Sequence, residues 1–353
     1  MECGVRGKTI VYTTTPHSTL HTRHQINRRN INMFNSIKIE KGLYNLSGKS
    51  FSQALEALDP SENYTDGLAK LDAFERQLKR FDIKVKGVNA DKVDKFFQSA
   101  ESALLFPEFV RRAVESGLNS GCVNKITAAM SIADGIDCRG IVLSDGTAAY
   151  DGEIAVGGAL PESSISLTSA PIALKKFARL INAPYEAIRQ QRLDVFAVAL
   201  RAVGAKLAKA IEASAITAVT AAAETVSMTG GDFNYSELAA FWGKFTNCEM
   251  NAVVCSPATA AKILAFDEMN KAVTTSGGNM LTPFGAEIVV SSAVADDIAI
   301  GMDKNCALEF IRGGEVVVEV DKLISKLSEA AAVAVNAGFS VISADAVKVL
   351  NIA

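Results

Sequence analysis

Apolar residues recur at steps of three and four across residues 185–223, at Leu193, Phe196, Leu200, Val203, Leu207 and Ile211. That spacing puts them on one face of an α-helix. Alanine fills most of the remaining positions, which favours helix and permits close packing. At 1.5 Å per residue such a helix is on the order of 45–50 Å long. Upstream, Leu68, Leu71, Phe74, Leu78 and Phe81 keep helical spacing behind a capping Ser61. Asp91 to Glu101 carries Val93, Phe96 and Phe97 on one side. Pro107 opens a helix over Glu108 to Gly117, with Phe109, Val110 and Val114 inward and Gly117 as its stop. Ile83-Lys-Val-Lys alternates as a short strand does.

From Arg139 to Lys176 the pattern changes to β. Ile141-Val-Leu runs into Ser144-Asp145-Gly146, and the Asp-Gly pair predicts a tight turn. Gly152, Gly157-Gly158 and Pro161 punctuate the segment before a strand at Ser164 to Thr168. Its one large aromatic is Tyr150, so the region has little with which to bury a core of its own. It reads as a projecting arm that needs a partner surface.

Residues 235–300 read as α/β. An amphipathic helix from Tyr235 to Phe245 precedes a short buried strand, Ala252 to Cys255. Ser256-Pro257 then supplies an N-cap and a first-position proline for a helix to Phe266. After a glycine-bearing loop at Ser276-Gly277-Gly278, Ala286 to Val290 is a strand. Ala307–Ile311 and Val316–Val320 flank Gly313-Gly314, a hairpin signal. Ala330 to Val341 and Val347 to Ile352 complete the chain as apolar strands.

Composition narrows the chemistry. Of 353 residues 49% are hydrophobic, enough for a sizeable core and roughly two domains. No apolar run reaches the ~18 residues of a membrane span. A net charge of −3 gives no strong polyanion-binding signal. The three histidines, His17, His21 and His24, all lie in the first 24 residues. A Ser-His-Asp triad, a Cys-His dyad or a histidine-ligated metal would have to recruit that tail. The six cysteines form no C-x-x-C pair and read as reduced, inert thiols. No phosphate loop, nucleophile elbow or calcium loop occurs. Glu309, Glu315 and Glu319 read as decoration of a solvated hairpin, and Trp242 as a core or interface aromatic. No catalytic, cofactor-binding or metal residue is expected.

Residues 1–32 stand apart. They are rich in Thr, Arg and Asn and contain no acid after Glu2. A basic disordered arm, a transit peptide and an over-extended reading frame all fit. The last is favoured here, because Arg28-Arg29 encoded as AGG-AGG would be a ribosome-binding site just upstream of Met33.

The remaining order is arm, β projection, long helix, α/β lobe, final strands. It resembles the HK97-fold major capsid proteins of tailed bacteriophages over roughly residues 105–353. Leu105-Phe106-Pro107-Glu108-Phe109-Val110 with Arg111-Arg112 is similar to the end of that family's N-arm. Val156-Gly157-Gly158-Ala159-Leu160-Pro161-Glu162-Ser163 is similar to its E-loop stretch, with Val156 in place of an acid. Lys175-Lys176-Phe177-Ala178 leads into the spine helix, and Ser256-Pro257-Ala258-Thr259 and Gly285 to Ser292 resemble A-domain segments.

The resemblance implies an α+β HK97-like fold. Residues 1–32 are then an extension, 33–138 the N-terminal arm, 139–176 the E-loop, and 177–234 the P-domain with its spine helix. Residues 235–305 are the A-domain and 306–353 the returning P-domain strands. It implies a structural, non-enzymatic protein without cofactor, self-assembling through pentamers and hexamers into an icosahedral capsid. The expected place is the virion, with assembly in the bacterial host cytoplasm. A portal, scaffold or maturation protease are possible partners, packaged double-stranded DNA is touched non-specifically, and no membrane is involved. Inter-subunit contact is expected at Asp145, Gly146, Gly157, Gly158, Pro161 and Glu162. Some relatives weld subunits through an E-loop lysine. Here no lysine occurs between Lys125 and Lys175, so no such cross-link is expected. An encapsulin-type nanocompartment shell is the alternative, and a histidine-free soluble enzyme a third reading.

Overall fold

The computed structural model describes residues 37–352 apart from 47–48, 65–66, 134, 136–137, 146–153, 155, 159, 161, 272–274, 277–278 and 324–327. The chain divides into two compact units, residues 1–108 and 109–353.

In the first unit, helices α1 (Phe51–Leu58) and α2 (Ala73–Arg80) both start on capping boxes. Ser50 accepts from the Gln53 N–H at 3.2 Å and Asp72 from the Glu75 N–H at 2.7 Å. The Asp72 cap explains why α2 begins later than the apolar spacing from Leu68 indicates. Ser61 opens only the 3-10 turn Ser61–Asn63. The stretch from Asp91 is likewise a 3-10 turn, Val93–Gln98, followed by the short α3 (Ala100–Ala103). Ser99 breaks the two apart, its hydroxyl accepting from the Ser102 N–H at 3.0 Å. Ile83 is buried, but its segment is extended chain without a sheet partner, not a strand. Phe51, Leu55, Phe74, Leu78, Val93 and Phe96 form the core.

Beside that core lies a fully buried Arg76. Its Nε donates to Asp59 Oδ2 at 2.7 Å and its Nη1 to Ser61 Oγ at 3.0 Å. Its Nη2 donates to the Asp59 carbonyl. The guanidinium sits 4.6 Å from the Tyr64 ring centroid. Tyr64 in turn donates to Asp59 at 2.5 Å, and burial together with that carboxylate pushes the phenol pKa up. A buried arginine is tolerable only when its donors are matched in this way.

Helix α4 (Phe106–Leu118) leads into the second unit, with Phe109, Val110 and Val114 buried as expected. Gly117 is not its stop, for the helix continues to Leu118. The glycine faces a crossing helix. After α5 (Val123–Ile126) come β1 (Ala129–Ile132), β2 (Ile141–Asp145), β3 (Ser163–Leu167) and β4 (Lys175–Pro184). The predicted long helix is interrupted. A short α6 (Tyr185–Gln190) ends at Gln191, and Gln191 and Arg192 are extended before α7 (Leu193–Ala222) begins. The 30 residues of α7 make a rod of about 45 Å. It packs against β4, β13 and β14, whose ranges follow.

Beyond α7 lie β5 (Glu224–Ser227), α8 (Tyr235–Trp242), β6 (Ala252–Cys255), α9 (Pro257–Leu264), α10 (Asp267–Lys271), β7 (Thr275–Ser276), β8 (Asn279–Leu281), β9 (Glu287–Val290) and β10 (Ile298–Met302). The final strands are β11 (Leu308–Arg312), β12 (Val317–Leu323), β13 (Ser328–Val341) and β14 (Val347–Asn351). Ser256 caps α9 as expected, accepting from the Thr259 N–H at 3.2 Å.

One sheet runs β5-β14-β10-β6-β9-β8-β7. Both faces are covered, which is why β6 reads as an unbroken apolar run. Ala252 and Val254 face a cluster with Ala215, Ile216 and Val219 of α7. Val253 and Cys255 face Leu238 and Phe241 of α8 and Ile263 of α9. A β-carbon on Gly301 of β10 would lie 2.6 Å from Phe241, so this strand must be side-chain-free there.

The second sheet centres on β13. Gly313-Gly314 does not make the predicted hairpin. Ala337 of β13 pairs with both Arg312 and Lys175, which places β11 and β4 on opposite edges of β13. Ser328–Ala334 pairs with both β12 and β4, so β12 lies on the same edge as β11. The two strands follow each other along β13, and Gly313 N–H still donates to the Asn336 carbonyl at 2.9 Å between them. Gly314, at φ +104°, accommodates the extra residues of a bulge. The connection from β12 to β13 lies outside the described residues.

Candidate assembly surface

The hairpin β2–β3 is a two-stranded sheet of its own, paired from Ile141↔Leu167 to Asp145↔Ser163. Opposed residues share a face. Ile141, Leu143, Ile165 and Leu167 therefore line one side, and Val142, Ser144, Ser164 and Ser166 the other. Every residue of β3 is exposed, with Ile165 at 74% and Leu167 at 63%. Leu160, also exposed, precedes the strand. The root is held to the body: Leu143 N–H donates to the Ile342 carbonyl at 2.8 Å. A β-carbon on Gly140 would lie 2.1 Å from Ser340 Oγ, so this glycine admits β13 at close range.

Of the residues expected at inter-subunit contacts, Asp145 ends β2 opposite Ser163, immediately after Glu162. Strand β2 continues through Asp145, and its pairing leaves residues 146–162 as the connection. The turn expected at Asp145-Gly146 falls on residues outside those described. Gly157 is exposed at φ +84°, and Gly158 and Glu162 are exposed. Gly146 and Pro161 lie outside the described residues, as do His17, His21 and His24. The apolar strip was missed as a contact surface, although Ser164-Ile165-Ser166-Leu167 alternates visibly. Further apolar side chains face outward at Val195 and Val198 of α7 and Leu180 of β4.

Several other carboxylates have structural partners. Glu309 accepts from Ser131 at 2.7 Å, Glu315 lies 3.4 Å from Arg111, and Glu319 is exposed on β12. These three carboxylates do not converge on one site. Glu287 is buried between Lys125 at 3.0 Å and Lys304 at 3.2 Å. Burial alone would raise its pKa, but the two lysine hydrogen bonds outweigh that and hold it below the ordinary carboxylate value. Burial and the neighbouring Glu212 push the Cys122 thiol up to about 12, so it is inert as a nucleophile. Trp242 is 46% exposed beside Phe284, a surface aromatic and not a core one. A cavity of about 20 Å³ between Leu118, Ala208, Ile211 and Phe310 has room for one water. No helix among the described residues is long and apolar enough to cross a membrane.

A phage capsid protein family model matches residues 168–349, just over half of the chain. The chain belongs to the phage capsid protein family. It is thus a shell-forming structural protein with an α+β fold, and its place is the virion capsid. No curated protein matches it. Among solved structures, this capsid protein is similar to the virus-like particle from Pyrococcus furiosus (15% identity, TM-score 0.48, 69% of this chain and 98% of that one). It is also similar to a chain from Microbacterium phage Oxtober96 (13%, 0.48, 66% and 91%). A third is the encapsulin complex of Synechococcus elongatus (13%, 0.47, 63% and 84%).

Proposed function

We propose that copies of this capsid protein close into an icosahedral shell around the double-stranded DNA of a tailed phage, in the cytoplasm of its bacterial host. The protein acts by contact and not by catalysis. Hairpin β2–β3 with its connection is the E-loop, α7 the spine helix, and the sheet around β6 with α8 and α9 the A-domain. The sheet around β13 belongs to the P-domain, and the first unit contains most of the N-terminal arm. Asp145, Gly157, Gly158 and Glu162 lie at the contacting end of the E-loop.

The observation that carries this is the exposed strip Ile141, Ile165, Leu167 on a hairpin whose strands join no other sheet among the described residues. Two strands alone are marginal in water. Fully burying one such side chain is worth about 1.5–3 kcal/mol, so two or three per contact, repeated around closed rings, stabilise a shell from individually modest interfaces. A net charge of −3 suits a wall that confines DNA without gripping phosphates.

Electron microscopy and sedimentation of the expressed full chain test the proposal. Closed particles are expected. The Ile165→Asp, Leu167→Asp variant should stay as folded, unassembled subunits, because the strip makes no core. Wild-type protein that remains monomeric, or a variant that assembles equally well, refutes it. In particles from the native source, protein cargo in place of DNA would assign the shell to a nanocompartment.

A further inference from the structure

We propose that Cys248, Asp303 and Cys306 form a binding site for a zinc ion. Cys248 lies in the loop between α8 and β6, while Asp303 and Cys306 lie in the loop where the chain leaves β10 for β11. The fold brings these loops together, and the two sulfurs and a carboxylate oxygen lie within 4.8 Å of one another. Zinc bonds of about 2.3 Å to sulfur and 2.0 Å to oxygen put tetrahedral ligands about 3.3–3.8 Å apart. A contraction of at most about 1.5 Å brings these three donors onto a metal. Two thiolates and a carboxylate make a soft, anionic set that favours zinc over magnesium or calcium.

The supporting groups are already in place. Asp303 is buried, and its Oδ1 accepts from Asn251 Nδ2 at 2.6 Å and from the Asn305 N–H at 3.0 Å. Its Oδ2 accepts from the Glu249 N–H at 3.3 Å, and the Cys306 thiol hydrogen-bonds to the same carboxylate and to Cys248, contacts that a metal would replace as the thiols lose their protons. Asn251 is itself fixed, its Oδ1 accepting from the Lys304 N–H at 2.8 Å. The Cys306 N–H donates to the Asp303 carbonyl at 3.2 Å, a turn that presents both ligands from one loop. Such outer partners orient metal ligands. Lys304 does not oppose a cation here, because its ammonium is engaged by Glu287 at 3.2 Å. Both cysteines are half-buried, so water completes the fourth position from the open side. The bound ion would clamp the entry to β6 against the crossover between the two sheets.

The test uses the full chain, purified under reducing conditions with zinc and then desalted. About one zinc per chain is expected by elemental analysis, with loss in Cys248→Ser and in Cys306→Ser. Cobalt titration of the wild type should give a thiolate-to-cobalt charge-transfer band. Asn251→Ala should retain the band with roughly tenfold weaker affinity. No stoichiometric zinc in the wild type, or equal zinc in the double serine variant, overturns the proposal. So does a Cys248–Cys306 disulfide in place of zinc in freshly purified protein. Should the serine variants fail to fold, absence of the cobalt band in the wild type overturns it alone.

Discussion

Gly204 and Gly117 mark where α4 crosses the long helix α7, and substituting Gly204 probes how tightly that crossing is set. A β-carbon on Gly204 would lie 2.0 Å from the Val114 carbonyl oxygen and 3.0 Å from the Leu118 nitrogen. On Gly117 it would lie 2.0 Å from the Arg201 carbonyl oxygen. Carbon–oxygen contacts settle at about 3.3–3.6 Å, so Gly204→Ala forces the helices apart by more than about 1 Å. The obstacle is backbone in a helix and cannot rotate aside. Separation loosens Val110, Val114, Leu200 and Leu207, all buried. Alanine gains about 1 kcal/mol in helix propensity. Overpacking costs about 1–3 kcal/mol and sometimes more, and a backbone clash belongs at the upper end. The net expectation is about 2 kcal/mol of destabilisation. Urea unfolding of dissociated subunits, followed by circular dichroism, measures it. Ala202→Gly, at an exposed position of the same helix, is the comparison and should lose only about 1 kcal/mol through propensity. Gly117→Ala combined with Gly204→Ala should cost less than the sum, because the first substitution has already opened the crossing. A Gly204→Ala subunit as stable as wild type refutes the reasoning.

Arg76→Ala leaves Asp59 buried without its partner and should cost about 3–5 kcal/mol, seen as rapid limited proteolysis of residues 37–108. Glu287→Gln should cost about 1–2 kcal/mol at neutral pH, discounted because both lysines are partly exposed. The folded pKa of Glu287 is depressed, so its contribution is present above the unfolded value and lost as pH falls through the folded one. The wild-type protein and the Glu287→Gln variant should therefore converge in stability in acid below pH 4.5, and a gap that persists there contradicts the assignment. Denatured particles should run as a single chain, since no lysine lies between Lys125 and Lys175. A ladder of covalent oligomers on the gel would overturn that.

Periodicity by itself determined the long helix α7, the buried β6, the Ser256 cap and the β character of β2 and β3, because each depends on neighbours within a few residues. The absence of histidine beyond His24 and of lysine in the arm also removed whole classes of chemistry before any fold was known. Tertiary structure alone decided the rest. Gly313-Gly314 carries a hairpin signal, yet β13 offers one long edge that β11 and β12 share, and ladder hydrogen bonds across the bulge outweigh the local turn. Gly117 reads as a helix stop until the Arg201 carbonyl is placed against it. The split of α6 from α7 at Gln191 and Arg192 follows no apolar period. Cys248, Asp303 and Cys306 have no motif spacing, since their proximity comes from two loops brought together by a sheet. Local pattern reports which face of an element is apolar. Which distant element meets that face is set by packing, a contact between segments that carry no mark of each other in the chain.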